Sequence, residues 1–287
     1  MIYQQSELIV VRDTANSMTA NDFAFSPDSE LWLVNRYANG LLFGPAAVLL
    51  QVAHQRVAQG VADHSDFRED ALGRLRRTLS TVNRIAFGTK EVAEKMRAGL
   101  REVHGGVNGV ISDRMDGPKK YSAFEPDLLM WVLATLIDAS IKGYEFVWEP
   151  LSSERRENFY RDFRRFGTYF GLGEDVGPQD YLEFVKYYDE MLSCDLLGSH
   201  PLCAEMAAAV VSPQKPWRDR ILGKAGDFLP IETVPQLVRK KLGLESTSWS
   251  RGRMKVLEKV APVAFRTLPK WFTYYPESYR AEKSMKN

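Results

Sequence analysis

The stretch that decides the fold is RLRRTLSTVNRIAFGTKEVAEKMRAGLREVHGGV, residues 74–107. Apolar residues recur in it at helical steps of three and four, first before Gly88 and again after Thr89. Thr89 is a typical N-cap residue, and the glycines at 105, 106 and 109 are typical of a helix end. The stretch therefore predicts two consecutive helices that meet at Gly88 and Thr89.

Helix signals of the same kind continue on both sides of this stretch, and strand alternation is nearly absent. Helices are predicted to begin at Pro45 (running through residues 46–62), at Asp66 with Glu69 as a capping box, at Pro126, at Ser152 or Ser153, at Asp180, at Ser199 with Pro201, at Thr233 with Pro235, and near Ser250. Residues 113–121 are predicted to be a polar turn. The fold class is therefore all-α, with an N-terminal arm over residues 1–40 packed on one helical domain over residues 41–287.

Composition excludes several classes of function. Lys and Arg number 38 against 37 Asp and Glu, so the net charge of +1 predicts no binding to nucleic acid or to an anionic membrane. Two cysteines cannot form a disulfide framework and are typical of a reducing compartment. We find no secretory signal and no membrane span, so the sequence predicts a cytoplasmic protein and leaves its oligomeric state open.

Common catalytic motifs are missing. The chain has no GxSxG elbow, no Walker loop and no HExxH helix. A di-iron carboxylate centre needs Glu-x-x-His pairs, yet no glutamate stands three residues before His54, His64, His104 or His200. These four histidines are the remaining candidates for binding a metal.

His104 is the most informative histidine. Leu100 and Val107 share its helix face, so the imidazole leaves the helix at the edge of an apolar stripe. Gly105 and Gly106 follow directly and remove side chains where a flat cofactor could approach. The pattern fits an axial ligand to haem iron, but periodicity alone favours a core histidine that is hydrogen-bonded to a backbone carbonyl.

Arg74 and Thr78 lie on a face of the preceding helix that is predicted to point inward. A buried guanidinium needs an anionic partner, since desolvating an unpaired charge costs several kcal/mol. A haem propionate or a polarised oxygen species could be that partner. Glu69 or Asp70 could also pair with Arg74, or the side chain could snorkel to the surface.

Several blocks of the chain, taken together, resemble a known family. They are GPAAVLLQVAHQRVAQGVADHSDF (residues 44–67), RLRRTLSTVNRIAFGT (74–89), REVHGGVNG (101–109), YSAFEPDLLMWVLATL (121–136) and a C-terminal part that includes FLPIETVPQLVRKKLGL. In this order and spacing they are similar to the latex clearing protein (rubber oxygenase) and MpaB oxygenase family.

The resemblance implies a globin-like helical core around a b-type haem (haem b), with His104 as the axial ligand of the iron. It further implies that Arg74 and Thr78 lie near the haem and matter for activity, and that Arg101, in the R-x-x-H segment, contributes to cofactor binding. Two features depart from the family. From the sequence we expect neither the secretion signal of the rubber oxygenases nor the membrane anchor of MpaB, and Arg77 stands where rubber oxygenases have a lysine. His64 could bond oxygen from the distal side or could cap a helix end.

The function that follows is a haem-dependent oxygenase, an oxidoreductase that uses dioxygen on a small apolar substrate of olefinic or aromatic character. Apolar helix faces, including side chains near Trp131, are expected to line the substrate cavity. Two alternatives stay open: a haem protein that senses or carries a ligand without turnover, and a helical scaffold that binds no haem.

Overall fold

The computed structural model describes residues 18–113, 117–211 and 227–286, and the side chains of these residues except 67–72, 112, 113 and 117. The described part is mostly helical, as predicted. Its α-helices are α1 (Glu30–Asn35), α2 (Gly40–Ala53), α3 (Gln55–His64), α4 (Phe67–Phe87), α5 (Lys90–Gly105), α6 (Pro126–Val147), α7 (Ser153–Thr168), α8 (Tyr181–Ser193), α9 (Pro201–Val211), α10 (Leu229–Thr233), α11 (Gln236–Lys241), α12 (Ser248–Thr267), α13 (Lys270–Thr273) and α14 (Pro276–Ser284).

Local capping chemistry sets most of the helix starts. The side chains of Thr89, Ser152 and Asp180 accept hydrogen bonds from the first-turn amides of α5, α7 and α8. Each bond satisfies one of the amides that a helix N-terminus leaves without an intrahelical partner. Pro126 begins α6, where its missing N–H costs nothing. These four predicted starts are confirmed.

The main core lies where α2 packs against α6, with α9 and α10 against the other sides of α2. Phe23, Phe25, Leu31 and Trp32 belong to the same core cluster as the buried residues of α2 and α6. Residues 23–32 therefore contribute core side chains, although they fall within the predicted N-terminal arm. The boundary at residue 40 stays a prediction, and residues 1–17 lie outside the described part.

The long helix predicted from Pro45 through residue 62 is broken at His54. His54 has extended backbone and forms an antiparallel bridge with Leu197. Gly198 N donates to Ala53 O at 2.8 Å, and Gln55 N donates to Leu196 O. The prediction of one helix is wrong because these bonds to a distant segment replace helical bonds, which yields α2 and α3.

A β-hairpin follows α5, where the sequence predicted only a polar turn. Strand β1 (Asn108–Asp113) pairs antiparallel with β2 (Gly117–Ser122). Gly109 faces Tyr121 across the hairpin, and a Cβ at Gly109 would lie 2.6 Å from the Tyr121 hydroxyl oxygen. The prediction of a turn without strands is therefore wrong. The sequence did not indicate the hairpin because β2 is polar and lacks the alternation that marks a half-buried strand.

Helices α4 and α5 form a helical hairpin whose connection is Gly88 and Thr89. A Cβ at Gly88 would lie 2.1 Å from the carbonyl oxygen of Arg84 and 2.8 Å from Cγ1 of Val92, so the connection requires glycine. Ala24 N donates to Gly88 O at 3.1 Å and holds the connection from outside. Such a short connection makes the two helices antiparallel neighbours.

Candidate functional site

The α4–α5 hairpin places Arg74 and His104 at the same level. Arg74 lies fourteen residues before Gly88, and His104 lies fifteen residues after Thr89. Because α-helices rise equally per residue, positions equally far from a tight connection lie side by side. The electrostatic effect of Arg74 on His104 agrees with this arrangement. The two strongest candidates from the sequence are therefore brought together.

His104 is half-buried near the C-terminal end of α5. Burial lowers the pKa of its imidazole, and the positive charge of Arg74 lowers that pKa further. Its Nδ1 is buried and makes no hydrogen bond within the described residues. Phe124 lies edge-on to the ring, with centroids 6.1 Å apart. The lowered pKa favours the neutral imidazole, and no carbonyl among the described residues binds Nδ1.

Arg74 adds positive charge beside this imidazole. Burial lowers the pKa of Arg74, and repulsion from Arg77 lowers it further. A guanidinium still stays protonated at neutral pH, so Arg74 places a cationic group near the imidazole. The alternative partners Glu69 and Asp70 lie outside the described side chains.

The other two predicted site residues are more open to solvent. Thr78 lies one turn closer to the connection than Arg74, and its side chain is exposed. The inward orientation predicted for Thr78 is therefore wrong. Among the described side chains of α4, those of residues 73–87, the buried ones lie in the last turns, at Asn83, Ile85, Ala86 and Phe87. Arg101 is also exposed, one turn before His104.

The surface around His104 suits a flat apolar group. A Cβ at Gly105 would have no atom within 4 Å, and one at Gly106 would meet only the Val103 carbonyl oxygen at 3.6 Å. Val103 and Phe124 are 56% and 40% exposed, so apolar side chains lie open beside the imidazole. A neutral imidazole, a nearby cation and apolar surface are the groups that a haem with anionic propionates needs from a protein. The residues present fit haem.

A polar network fixes the β-hairpin that follows this site. The Tyr121 hydroxyl donates to the carboxylate of Asp63, and it lies 3.3 Å from Nε2 of His64. That nitrogen is also 3.0 Å from the carbonyl oxygen of Asn108. His64 therefore ties the end of α3 to the start of β1. Burial, followed by the bond to Asp63, raises the pKa of Tyr121, so its hydroxyl keeps its proton.

Phe124 and Tyr121 were missed by the sequence reasoning. Their positions depend on the β-hairpin, which was not predicted, and no periodic signal marks them. Trp131, near which the substrate cavity was expected, is fully buried, donates to Leu50 O at 3.0 Å and stacks on Tyr188. It is a core residue of α6.

A cleft of about 370 Å³ lies between α3 and the start of α9. Its lining includes Gln59, Asp63, His200 and Glu205. This polar lining does not match an apolar substrate. Nδ1 of His200 accepts a hydrogen bond from Leu202 N at 3.2 Å, so this histidine serves the first turn of α9.

The side chains that could bind a metal indicate which kind of metal centre the protein can hold. Among the described residues, no three His, Cys, Asp or Glu side chains cluster so that they could hold a metal ion. A metal at His104 would therefore need most of its ligands from another source, as porphyrin nitrogens provide. No helix in the described ranges is long and apolar enough to cross a membrane.

Comparisons with known proteins agree with this picture. Residues 32–266 match the family described as ER-bound oxygenase mpaB/B'/Rubber oxygenase, catalytic domain. An uncharacterized protein of Mycobacterium bovis is 25% identical over 236 residues, which cover 80% of this chain and 90% of the relative. An uncharacterized protein of Mycobacterium tuberculosis matches with the same identity and coverage. No solved structure matches the chain.

Proposed function

This chain belongs to the family of the ER-bound oxygenase mpaB and rubber oxygenase catalytic domains, and we propose that it is a haem-dependent oxygenase. Its substrates would be dioxygen and a small apolar molecule with an olefinic or aromatic group. One observation carries the proposal: the neutral imidazole of His104 has a buried nitrogen without a hydrogen-bond partner, beside a cationic Arg74. Haem, when bound, would supply the redox and oxygen chemistry that amino-acid side chains lack.

His104 would hold the haem iron, because a ring nitrogen binds a metal only through a free lone pair. Burial and the charge of Arg74 both favour the neutral imidazole, which has one such nitrogen. The Phe124 ring limits rotation of the imidazole by its edge contact. The end of α5 would thus supply the protein ligand to the iron.

Arg74 and Arg101 would bind the anionic propionate groups of the cofactor. Charge-assisted hydrogen bonds from a guanidinium to a carboxylate are among the stronger polar interactions in proteins. Thr78, one turn along α4, would orient dioxygen or water through its hydroxyl group. The exposure of Thr78 and Arg101 leaves both side chains accessible to such partners.

Val103 and Phe124 would cover the apolar part of the ligand and exclude water from it. Val103 directly precedes His104 in the chain, and the Phe124 ring lies edge-on to the imidazole. An apolar surface of this kind favours an olefinic or aromatic molecule over a charged one. A cytoplasmic location stays a prediction.

The test is aerobic incubation of haem-supplied protein with a reductant, labelled dioxygen and a panel of isoprenoid and aromatic metabolites. Mass spectrometry should detect products that contain the label, and the His104→Ala variant should form none. Gly99→Ala is the matched control on the same helix, because a Cβ there would meet no atom within 4 Å. Protein that holds haem and can be reduced, yet labels no member of the panel, would contradict turnover and favour a sensor or carrier.

A further inference from the structure

Helix α12 has an apolar row that faces solvent. Val256, Val260 and Val263 follow one another at steps of four and three, and Trp249 stands two turns before Val256. Their side chains are between 54% and 75% exposed. The opposite side of α12 packs against α6 and α10 and buries Ser250 and Ala261. The row is therefore separate from the face that holds α12 to the protein.

Exposed aromatic residues continue beyond the end of α12. Leu268 is exposed, and Trp271 and Phe272 of α13 are 67% and 61% exposed. The last two rings lie edge to face, with centroids 5.9 Å apart. Since α12 is about 30 Å long, exposed tryptophans stand near both ends of a long apolar surface. Isolated exposed apolar residues are normal on a protein, but a contiguous row indicates an interaction site.

Basic residues border this row. Lys255, Lys259 and Arg266 are exposed and occupy one side of α12, next to the valines. Residues 248–272 contain six basic residues and one acidic residue, Glu258, although the whole chain has a net charge of +1. Arg253 pairs with Asp227 and Lys270 pairs with Glu282, both outside the segment. The remaining basic residues still outnumber Glu258, so the segment is more positive than the chain as a whole.

We propose that α12 and α13 form a docking face for the surface of a membrane that contains anionic lipids. The basic–apolar face consists of Trp249, Val256, Val260, Val263, Trp271 and Phe272 with the bordering Lys255, Lys259 and Arg266. Its apolar row would enter the boundary between lipid headgroups and acyl chains while the basic row binds lipid phosphates. Exposed tryptophans at both ends are typical of helices that lie in this interfacial layer.

A lipid surface fits the face better than a protein partner does. Lysine is depleted in protein–protein interfaces, yet two of the three bordering cations are lysines. A second copy of the chain would bring another basic row towards this one, and like charges repel. The inference concerns a part of the molecule other than His104, so it stands or falls independently of the proposed oxygenase activity.

Vesicle co-sedimentation with the full chain tests the proposal. The protein should bind vesicles that contain phosphatidylglycerol and should bind phosphatidylcholine vesicles at least about tenfold more weakly. Raising the salt from about 0.1 M to about 1 M shortens the screening length from about 10 Å to about 3 Å and should release most of the bound protein.

Two sets of variants separate the charges from the apolar row. Lys255→Gln/Lys259→Gln/Arg266→Gln should weaken binding about tenfold or more, and Val256→Ser/Val260→Ser/Val263→Ser should weaken it similarly at low salt. The matched control is Leu182→Ser/Lys186→Gln on α8, which changes an equally exposed apolar and basic pair outside the face. That control should bind as the unmodified chain does.

Circular dichroism of each variant checks that it has folded, and all substituted positions are exposed in the folded protein. Equal binding to neutral and anionic vesicles, or unchanged binding by both sets, would overturn the proposal. The proposal would also be overturned if the chain formed concentration-dependent dimers, did not bind vesicles, and lost its dimerisation in the valine variants. The face would then bind a second copy of the chain.

Discussion

His54 and His104 have the same local chemistry in two different settings. Each imidazole has a buried Nδ1 without a hydrogen-bond partner within the described residues, and burial lowers the pKa of each. His54 is 2% exposed at the break between α2 and α3. His104 is half-buried at the end of α5, beside glycines, exposed apolar side chains and the charge of Arg74.

The difference shows that an unpartnered histidine nitrogen is not enough to define a ligand site. His54 lies within the protein, where its neighbours leave no route for a cofactor. We therefore expect it to affect the free energy of unfolding and not ligand binding. His104 combines the same property with access from the surface and a nearby cation. We therefore expect substitutions at the two positions to separate stability from haem binding.

The largest effect is expected on the stability of the chain towards acid, through His54. Burial lowers its pKa to about 4, whereas the unfolded value is 6.5. Between these values the unfolded state binds more protons than the folded state, so stability falls as the pH falls from 6.5 towards about 4. The loss amounts to about 3 kcal/mol, and above pH 6.5 this histidine adds no pH dependence.

Denaturant unfolding of the unmodified chain and of His54→Leu, over this pH range, measures the effect. The leucine variant should lose about 3 kcal/mol less than the unmodified chain, and its haem content should be unchanged. Parallel stability curves for the two proteins would show that His54 does not control the acid response. Loss of haem from His54→Leu would break the contrast between the two histidines.

Arg74→Ala is expected to weaken haem binding by about one to two orders of magnitude. Loss of a hydrogen bond to a charged group corresponds to about 1.5–3 kcal/mol. The substitution should also raise the pKa of His104, because Arg74 is one cause of its lowering. Nuclear magnetic resonance titration of the haem-free protein measures that pKa directly.

Arg76→Ala is the control for this substitution, because Arg76 is an exposed arginine on the same helix. It should leave both haem affinity and the pKa of His104 unchanged. If Arg74→Ala behaves like Arg76→Ala in both measurements, Arg74 has only a structural role.

Thr78→Val should have the smallest effect on the folded protein. The side chain is exposed, so the unfolding free energy should change by less than about 0.5 kcal/mol. Haem content should stay constant while the rate of product formation falls. Ser80→Ala removes another exposed hydroxyl from α4 and should change neither quantity. Equal turnover in Thr78→Val and the unmodified chain would remove Thr78 from the site.

The helices could be predicted from the sequence where neighbouring residues determine them. Thr89, Pro126, Ser152 and Asp180 mark helix starts because a cap or a proline acts within one turn. The break at His54 could not be predicted in this way, because its partner Leu197 lies far along the chain. The hairpin of β1 and β2 was missed because β2 is polar and lacks the alternation of a half-buried strand.

Some features of the candidate site could likewise be predicted from neighbouring residues, and others depend on tertiary packing. Arg74 and His104 lie side by side because they are almost equally far from the short connection between α4 and α5. The sequence therefore indicates that they are close together. The unpartnered Nδ1, the contact with Phe124 and the exposure of Thr78 depend on tertiary packing. Helical periodicity alone also does not distinguish the exposed valines of α12 from core residues.

The most direct test of the central claim is the absorption spectrum of the protein purified with haem supplied, measured beside His104→Ala and His54→Leu. The unmodified chain and His54→Leu should show a strong Soret band of equal intensity. His104→Ala should lose most of that band while its circular dichroism stays helical. A His104→Ala protein with the haem content and Soret position of the unmodified chain would contradict the assignment of His104 as the axial ligand.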